Sequence, residues 1–209
     1  MYFKIKRLLD IILSLLGLIV LSPIFLMLVI AIKIDSRGPV LFKQKRIGIN
    51  KTHFNILKFR TMTVDTPNDT PTHLLTDPEQ YITRVGKFLR RTSLDELPQI
   101  WNIFAGHMSI IGPRPALWNQ YDLIAERDKY GANNIPPGLT GWAQINGRDE
   151  LPIEVKAKLD GYYVEKISFR MDVRCFLETI ISVAKSDGVV EGGTGVKKEN
   201  AGIKERAFK

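Results

Sequence analysis

Two adjacent carboxylates, Asp95 and Glu96, lie in the sequence Arg-Arg-Thr-Ser-Leu-Asp-Glu-Leu-Pro-Gln (residues 90–99), the segment with the clearest chemical potential. Ser93 with Glu96 three residues later fits a capping box. Alternatively, Asp95 is the N-cap, and Pro98 lies in the first helical turn, where proline costs little. Either arrangement places both carboxylates at a helix N-terminus, where acidic residues commonly do no more than cap. A chemical role therefore depends on what surrounds them.

Three cationic side chains elsewhere in the chain are suited to a phosphate. Lys58 and Arg60 are two residues apart, so in a strand both would point to one face. Arg114 lies between Pro113 and Pro115, which restrict its backbone and fix the origin of its side chain. A pre-positioned arginine suits bidentate contact with a phosphate, and a structural pair with a carboxylate is the alternative. We therefore predict Lys58, Arg60 and Arg114 as phosphate-binding residues, with lipid headgroups as the alternative partner of Lys58 and Arg60.

Short elements must position these side chains. Runs rich in β-branched and aromatic residues predict strands, apolar residues at helical spacing predict helices, and clusters of Gly and Pro predict loops. The predicted elements are strands 39–48 and 54–62 joined by a turn at 48–51, a polar loop over 65–80, helices over 79–90 and from Leu97 to Gly106, a short strand that runs into a stiff turn over 109–118, a helix over 116–130, a surface loop over 131–148, and helices over 152–161 and 171–185.

An uncharged apolar run of 22 residues extends from Ile11 to Ile32, long enough to cross a bilayer core. Pro23 follows Ser22 at its centre, lacks an N–H and should kink the helix. Basic residues favour the cytoplasmic side and occur at both ends, so a helix-break-helix that enters and leaves on one face satisfies both flanks. A kinked spanning anchor is the alternative. The flanking cations are Lys4, Lys6, Arg7, Lys33, Arg37, Lys43, Lys45 and Arg46.

Positive charge is concentrated beside the apolar run. Residues 33–60 contain eight Lys or Arg and one acidic residue, a net +7 of the chain's +8. Such a patch indicates attraction to anionic lipid headgroups, and it could also receive a phosphorylated ligand or nucleic acid. The main alternative function is therefore a membrane-tethered basic binding module without catalysis. The acidic pair and the Pro-Arg-Pro turn count against it, because such a module needs neither.

Cysteine and histidine give little further chemistry. Cys175 is the single cysteine and lies among apolar residues, so we expect a buried, inert thiol. The apolar positions of the helix around it form a stripe that either packs into the core or lies on a bilayer surface. The three histidines are scattered without metal-ligand spacing.

Several of these segments together resemble the bacterial sugar-transferase family of small monotopic phosphoglycosyl transferases. They occur in the family's order over most of residues 1–190, which makes the set far more specific than any single motif. One departure is Leu9-Asp10, where the family often has Phe-Asp. The matching segments are Lys6-Arg7-Leu8-Leu9-Asp10, Ser22-Pro23, Lys58-Phe59-Arg60-Thr61-Met62, Ser93-Leu94-Asp95-Glu96-Leu97-Pro98-Gln99, Gly112-Pro113-Arg114-Pro115, Pro137-Gly138-Leu139-Thr140-Gly141-Trp142-Ala143-Gln144, and Leu159-Asp160 through Tyr163-Val164.

The resemblance implies an enzyme that loads a sugar phosphate from a UDP-sugar onto undecaprenyl phosphate and releases UMP. Asp95 would be the nucleophile that forms a covalent phosphosugar intermediate, and Glu96, with Asp95, would hold Mg²⁺. The small architecture favours an N-acetylated amino sugar. Candidate uridine or loop contacts are Trp142, Arg148, Asp160 and Tyr163.

The predicted fold is α/β, with a re-entrant membrane helix broken at Ser22-Pro23 over residues 1–36. A compact catalytic domain with a small sheet and amphipathic surface helices follows over 37–190, and a loosely ordered tail covers 191–209. The resemblance implies a location at the cytoplasmic leaflet of the bacterial inner membrane, with UDP-sugar, undecaprenyl phosphate and the bilayer as partners. Nucleic acid is not an expected partner, and no oligomeric state is predicted.

Overall fold

Two apolar helices, α1 (Tyr2–Val20) and α2 (Ser22–Asp35), meet at a bend of 59°. The predicted kink at Pro23 is confirmed, and the Ser22 hydroxyl donates to the carbonyl of Ile19 at 2.8 Å beside it. The structure is a computed structural model that describes residues 2–66, 78–147 and 151–184. In these ranges no helix alone is long and apolar enough to cross a bilayer, whereas the bent pair together has sufficient length and hydropathy.

A β-hairpin follows the helix pair. Strands β1 (Leu41–Ile47) and β2 (His53–Phe59) pair antiparallel, which confirms the two predicted strands and the turn between them. The Asn102 side chain covers the outer edge of β2, because its amide accepts from the N–H of Leu57 and donates to the carbonyl of Asn55, both at 2.9 Å. The hairpin is therefore fixed to the helix that carries Asn102.

The remaining elements are short and mostly helical. The predicted helices over 79–90, 116–130, 152–161 and 171–185, and the one from Leu97 to Gly106, are confirmed with shifted ends. In chain order the elements are α3 (Arg84–Thr92), α4 (Gln99–Phe104), β3 (Ser109–Ile111), α5 (Tyr121–Asp128), β4 (Gly138–Thr140), α6 (Trp142–Gly147), α7 (Ile153–Lys166) and α8 (Phe169–Ala184).

The segment from 131 to 147 is not the predicted surface loop. It contains β4, which pairs parallel with β3 in a second two-stranded sheet, and then α6. Its glycines allow two backbones to touch. A Cβ on Gly138 would lie 2.1 Å from the backbone nitrogen of Gly112, and one on Gly141 would lie 2.1 Å from the Gly112 carbonyl oxygen. The glycines thus permit close packing, and the described part of the chain forms two small sheets.

The largest core cluster lies where α6, α7 and α8 meet β3. The predicted burial of Cys175 is confirmed, and burial raises the pKa of its thiol to about 12, so the thiol stays protonated at neutral pH. The buried members of this cluster are Ile111, Ile135, Trp142, Ala143, Ile145, Leu151, Leu159, Tyr163, Met171 and Cys175.

Polar residues of α1 attach this helix to the rest of the protein. The Lys6 ammonium pairs with Asp172 of α8 at 2.6 Å, and Asp10 accepts from the N–H of Ile110 at 3.0 Å. Arg7 donates to the carbonyls of residues 103 and 104, at the end of α4. Lys6 is only 7% exposed. Lys6 and Arg7 are therefore docking residues rather than the free flanking charges on which the topology prediction relied.

An exposed apolar face runs along α8. Its buried side carries Met171, Asp172 and Cys175, whereas the predicted stripe points outward, so the core-packing alternative is wrong for this stripe. The exposed apolar side chains are Phe169, Val173, Phe176, Leu177, Ile180 and Ile181. A role on a bilayer surface stays a prediction. The predicted tail over 191–209 lies outside the described residues.

Candidate active site

Asp95 and Glu96 lie in a 3₁₀ turn, Leu94–Glu96, between α3 and α4. The capping predictions are wrong. Ser93 has a left-handed backbone (φ 56°) and ends α3, without a side-chain capping bond, while Pro98 is the residue before α4. A left-handed residue terminates a helix, which is why the chain turns here instead of continuing. Both carboxylates therefore project from a tight connection between two helices.

Apolar neighbours hold this turn in place. Leu94 and Leu97, on either side of the carboxylate pair, pack against a buried cluster that includes Ile32 of α2, Phe59 of β2 and Leu89 of α3. The turn is thus fixed by three separate elements, and one of them belongs to the N-terminal helix pair. Pre-organisation of this kind keeps reacting groups in place without cost at the moment of reaction.

Glu96 is clamped by two cations. Arg114 reaches both of its carboxylate oxygens, at 2.5 Å and 3.3 Å, and the Lys58 ammonium lies 2.7 Å from one of them. Burial alone would raise the pKa of Glu96, but the charges of Arg114 and Lys58 outweigh it and hold the pKa well below its usual range. Glu96 is therefore an anion at any physiological pH.

Asp95 is held more loosely than its neighbour. Its carboxylate meets Lys58 at 3.9 Å, beyond hydrogen-bonding distance, and its side chain is 13% exposed. Burial raises its pKa, and the adjacent Glu96 charge raises it further, against the opposing charges of Lys58, Arg90 and Arg114. Asp95 is thus the more basic carboxylate of the two, which makes its oxygen the better nucleophile.

Packed backbones hold the main chain of Arg114, from which its side chain projects, in a fixed position. Gly112 contacts the β4 segment, and the Arg127 guanidinium donates to the Arg114 carbonyl at 2.9 Å. The side chain forms the carboxylate pair that the sequence left as the alternative. A phosphate-binding role stays a prediction. It requires the guanidinium to exchange Glu96 for the ligand or to bind both.

The structure places Arg60 away from the role predicted for it. Strand β2 ends at Phe59, so the two-residue alternation that would align Arg60 with Lys58 does not extend to it. The buried Arg60 guanidinium donates to the carbonyl of Ser36 at 2.8 Å and also to that of Arg37. Arg60 thus fastens the chain just after α2 in this structure, and phosphate binding by Arg60 stays a prediction that would require it to release these carbonyls.

Three predicted uridine or loop contacts lie in the interior. Trp142 is 2% exposed, with the Arg174 guanidinium 4.8 Å from its ring centre. Asp160 and Tyr163 are equally inaccessible, so none of the three can meet uridine in this structure, and each has a packing or pairing role instead. Arg148 lies outside the described residues.

Two of the buried residues form ion-pair or hydrogen-bond networks that the sequence did not indicate. Asp160 pairs with Arg127 at 2.6 Å, and the Tyr163 hydroxyl donates to Asp172 at 2.6 Å. Neither Arg127 nor Asp172 stood out, because each is one charge on an amphipathic helix. Arg90 was also missed as a third cation near Asp95. Its position in the last turn of α3, directly before the carboxylates, was the available signal.

The donors at the carboxylate pair fit Mg²⁺ in type and number. Mg²⁺ typically takes one or two protein carboxylates and completes its shell with water and substrate phosphates. The described residues contain no group of three or more His, Cys, Asp or Glu side chains that could form a larger cage. Glu96 Oε1 accepts from both Lys58 and Arg114, whereas among the described residues Oε2 has only the longer Arg114 contact at 3.3 Å, so Oε2 is the Glu96 oxygen with room for a metal ion.

Comparison with known proteins decides the family. The sequence profile of the family described as bacterial sugar transferase matches residues 1–186. The chain belongs to this family. Membership of a family of transferases counts against the non-catalytic binding module, and it confirms the resemblance carried by the sequence motifs.

Individual relatives agree with the family assignment. The chain is 38% identical over 185 residues to the "uncharacterized sugar transferase EpsL" of Bacillus subtilis (strain 168), covering 88% of this chain and 90% of that one. It is 38% identical to the exopolysaccharide production protein PSS of Rhizobium leguminosarum bv. phaseoli, covering 85% and 94%. It is 40% identical to the UDP-glucose:undecaprenyl-phosphate glucose-1-phosphate transferase of Escherichia coli (strain K12), covering 84% of this chain but 39% of that enzyme.

Proposed function

We propose that the protein transfers a sugar-1-phosphate from a UDP-sugar to undecaprenyl phosphate, through a covalent intermediate on Asp95. One observation carries this proposal. A loosely held carboxylate with a raised pKa lies beside a second carboxylate that is clamped by Lys58 and Arg114. Such an arrangement pairs a basic nucleophile with cations suited to a phosphate, and family membership supplies the sugar-phosphate context.

In the first step, an Asp95 oxygen attacks the β-phosphorus of the UDP-sugar. The new bond joins the carboxylate oxygen to phosphorus, the bond from that phosphorus to the bridging oxygen breaks, and the electron pair leaves with UMP. An anionic carboxylate that approaches an anionic diphosphate meets like-charge repulsion. Lys58 and Arg114 offset this repulsion, since each can turn from Glu96 toward the phosphate oxygens.

In the second step, a phosphate oxygen of undecaprenyl phosphate attacks the same phosphorus. The phosphorus–carboxylate bond breaks and Asp95 is regenerated as an anion, so no proton or electron is left over. Asp95 and Glu96 are the residues that would hold Mg²⁺. When bound, the ion supplies charge neutralisation of the diphosphate. The covalent route splits one difficult transfer between two anions into two easier ones.

The identity of the donor sugar is the most specific part of the proposal. The chain covers nearly the whole of EpsL and PSS but only about two fifths of the Escherichia coli enzyme, whose name specifies glucose. We propose an N-acetylated amino sugar, the donor class that the sequence resemblance implied. UDP-glucose is the competing donor.

The helix pair over residues 1–36 is proposed to enter and leave the cytoplasmic leaflet on one face. Both of its ends are held by the same domain, since Lys6 pairs with Asp172 while Asp35 accepts from the N–H of Val85 at 3.0 Å. The 59° bend also favours shallow entry. Helix α2 is roughly 21 Å long. If both helices make the same angle with the membrane plane, the bend between them lies about 10 Å below the surface, a third of a hydrocarbon core of about 30 Å.

A donor panel tests the function. The purified protein is mixed with Mg²⁺, undecaprenyl phosphate and, in separate reactions, UDP-N-acetylated amino sugars, UDP-glucose and UDP-galactose. We expect UMP release that depends on one class of donor. Without the acceptor, wild type should gain the mass of one sugar phosphate on Asp95. An adduct on another residue would end the proposed mechanism, and glucose-only turnover would correct the sugar.

Labelling of single cysteines tests the topology. Lys4 is exposed near the start of α1 and Lys43 is exposed on β1, after the end of α2, so Lys4→Cys and Lys43→Cys should both react with a membrane-impermeant maleimide from the cytoplasmic side. Pro23→Leu provides the matched variant, since a straightened helix could cross the bilayer and carry residue 4 to the other side. Periplasmic labelling of either cysteine in the otherwise unchanged protein would refute one-sided entry.

A further inference from the structure

An apolar groove of about 450 Å³ opens between the N-terminal helix pair and the hairpin. Its volume lies in the range of small-molecule sites. Two of its aromatic side chains, Phe25 and Phe59, pack with ring centres 5.5 Å apart, and Trp101 on another wall is 54% exposed. The lining residues are Leu18, Phe25, Val29, Val40, Leu41, Leu57, Phe59, Pro98 and Trp101.

One end of the groove lies next to the carboxylate pair. Pro98 lines the groove three residues after Asp95, about 6 Å away along a 3₁₀ turn. Strand β2 separates the two environments. Leu57 and Phe59 belong to the groove, whereas Lys58, between them, points to the opposite face and reaches Glu96. An apolar channel and a cationic phosphate site therefore meet at the end of one strand.

We propose that this groove holds the first isoprene units of the acceptor's hydrocarbon chain while its phosphate reaches Asp95. The assignment rests on the proposed function. A phosphate cannot enter the apolar walls without losing its hydration, and a hydrocarbon chain gains nothing beside carboxylates. An amphiphile that reacts at Asp95 must therefore place its head on the Lys58 side of β2 and its chain on the Leu57 side.

The walls of the groove also favour this occupant over a structural phospholipid. Leu18 and Val29 come from the helix pair proposed to lie in the bilayer, so a chain can enter sideways from the membrane. The acyl chain of a bystander phospholipid has no reason to begin within reach of Asp95, whereas the acceptor chain must. The groove is thus assigned to the isoprenoid chain, and acyl-chain binding becomes an outcome of the test.

Filling the groove tests this assignment. Val29→Trp adds bulk to one wall, and Met27→Trp is the matched control, because Met27 lies on the same helix, is 61% exposed and does not line the groove. We expect Val29→Trp to raise the KM for undecaprenyl phosphate at least tenfold. Formation of the sugar-phosphate adduct from UDP-sugar alone should change less than twofold in both variants. Equal acceptor KM values in the two variants would overturn the assignment.

Photo-crosslinking keeps the groove testable if the enzyme forms no adduct or Val29→Trp does not fold. Geranyl phosphate with a diazirine at its far end should label the wild-type peptides that contain Leu41, Leu57 and Trp101, and unlabelled farnesyl phosphate should compete. Labelling elsewhere would refute the groove. Equal competition by hexadecyl phosphate would show a general alkyl-chain site and overturn the isoprenoid assignment. Failure of adduct formation with intact labelling would reject the chemistry alone.

Discussion

Two carboxylate clusters in this protein use similar side chains in opposite ways. In the Asp172 cluster, one carboxylate receives Lys6 at 2.6 Å and the hydroxyls of Tyr2 and Tyr163, each also at 2.6 Å. In the active-site cluster, the two cations Lys58 and Arg114 crowd onto Glu96, while Asp95 beside it has a cation only at 3.9 Å.

This difference distinguishes a structural cluster, around Asp172, from a reactive one, around Asp95. The Asp172 carboxylate has three close partners inside the protein, and burial followed by the Asp172 charge raises the pKa of the Tyr163 phenol, which stays neutral. Around Asp95 the partners are incomplete and the pKa is raised, a condition that costs stability and that active sites commonly retain. Incomplete pairing, rather than the presence of charge, distinguishes the site.

The largest expected effect is the loss of turnover in Asp95→Asn. The amide keeps the side-chain shape but has no anionic oxygen to form the acyl phosphate, so we expect a fall in kcat of about 10⁴-fold or more. The thermal midpoint should change by at most a few degrees, since Asp95 has no close partner to lose. Mass spectrometry should detect no sugar-phosphate adduct. Robust turnover in this variant would show that Asp95 is not the nucleophile and that the two clusters do not differ in chemical role.

The converse result is expected at Asp172. Asp172→Asn leaves the buried Lys6 ammonium without a counter-charge, which costs on the order of 3 kcal/mol and lowers the thermal midpoint by roughly 10 °C. Folded protein should keep most of its adduct-forming activity. The double variant Lys6→Met/Asp172→Asn removes both charges and should recover part of the stability. A stable but inactive Asp172→Asn protein would assign this cluster to the chemistry.

Arg114→Lys should weaken the active site without unfolding the protein. Lysine has no planar fork, so it cannot contact two oxygens of Glu96 or of a phosphate at once. We expect kcat/KM for the UDP-sugar to fall roughly 10- to 100-fold. Arg91→Lys is the matched control, because Arg91 is exposed and adjacent in sequence to the site. Equal kinetics in the two variants would reduce Arg114 to a generic charge.

The smallest expected effect is a change in the pH profile. Asp95 attacks as an anion, so activity should be lost as the pH falls through its pKa, which burial raises above the usual range. The Lys58 charge opposes that rise. Lys58→Gln should therefore move the acidic limb of kcat/KM to higher pH, whereas Lys58→Arg should leave the limb near its wild-type position. An unmoved limb in Lys58→Gln would mean that another group titrates.

Local patterns predicted the elements that depend on local chemistry. The kink follows from the missing N–H of Pro23, and the hairpin follows from two runs rich in β-branched and aromatic residues around a turn in which Asn50 adopts φ 51°. The segment 131–147 was assigned wrongly because its glycines were interpreted as turn formers. Two of them, Gly138 and Gly141, contact Gly112, more than twenty residues away in sequence, and no local pattern reveals such a contact.

The active site was only partly predictable, because long-range contacts also decide the roles of its residues. Lys58, Glu96 and Arg114 do come together, and the residue types had indicated cations around the carboxylate pair. Trp142, Asp160 and Tyr163 occur in equally recognisable motifs, but their partners decide their roles. A motif marks a residue whose identity matters. Only the fold shows whether that residue meets solvent and a ligand or the interior of the domain.

The attachment of α1 has a consequence for synthesis. The Lys6–Asp172 pair joins residues 166 positions apart, and Asp10 waits for the N–H of Ile110. A ribosome that adds about 5–20 residues per second needs on the order of 10–30 s to travel from the first residue of the pair to the second. During that interval Lys6 of α1 has no Asp172 to pair with. Helix α1 can therefore dock in its final position only after α8 has been synthesised.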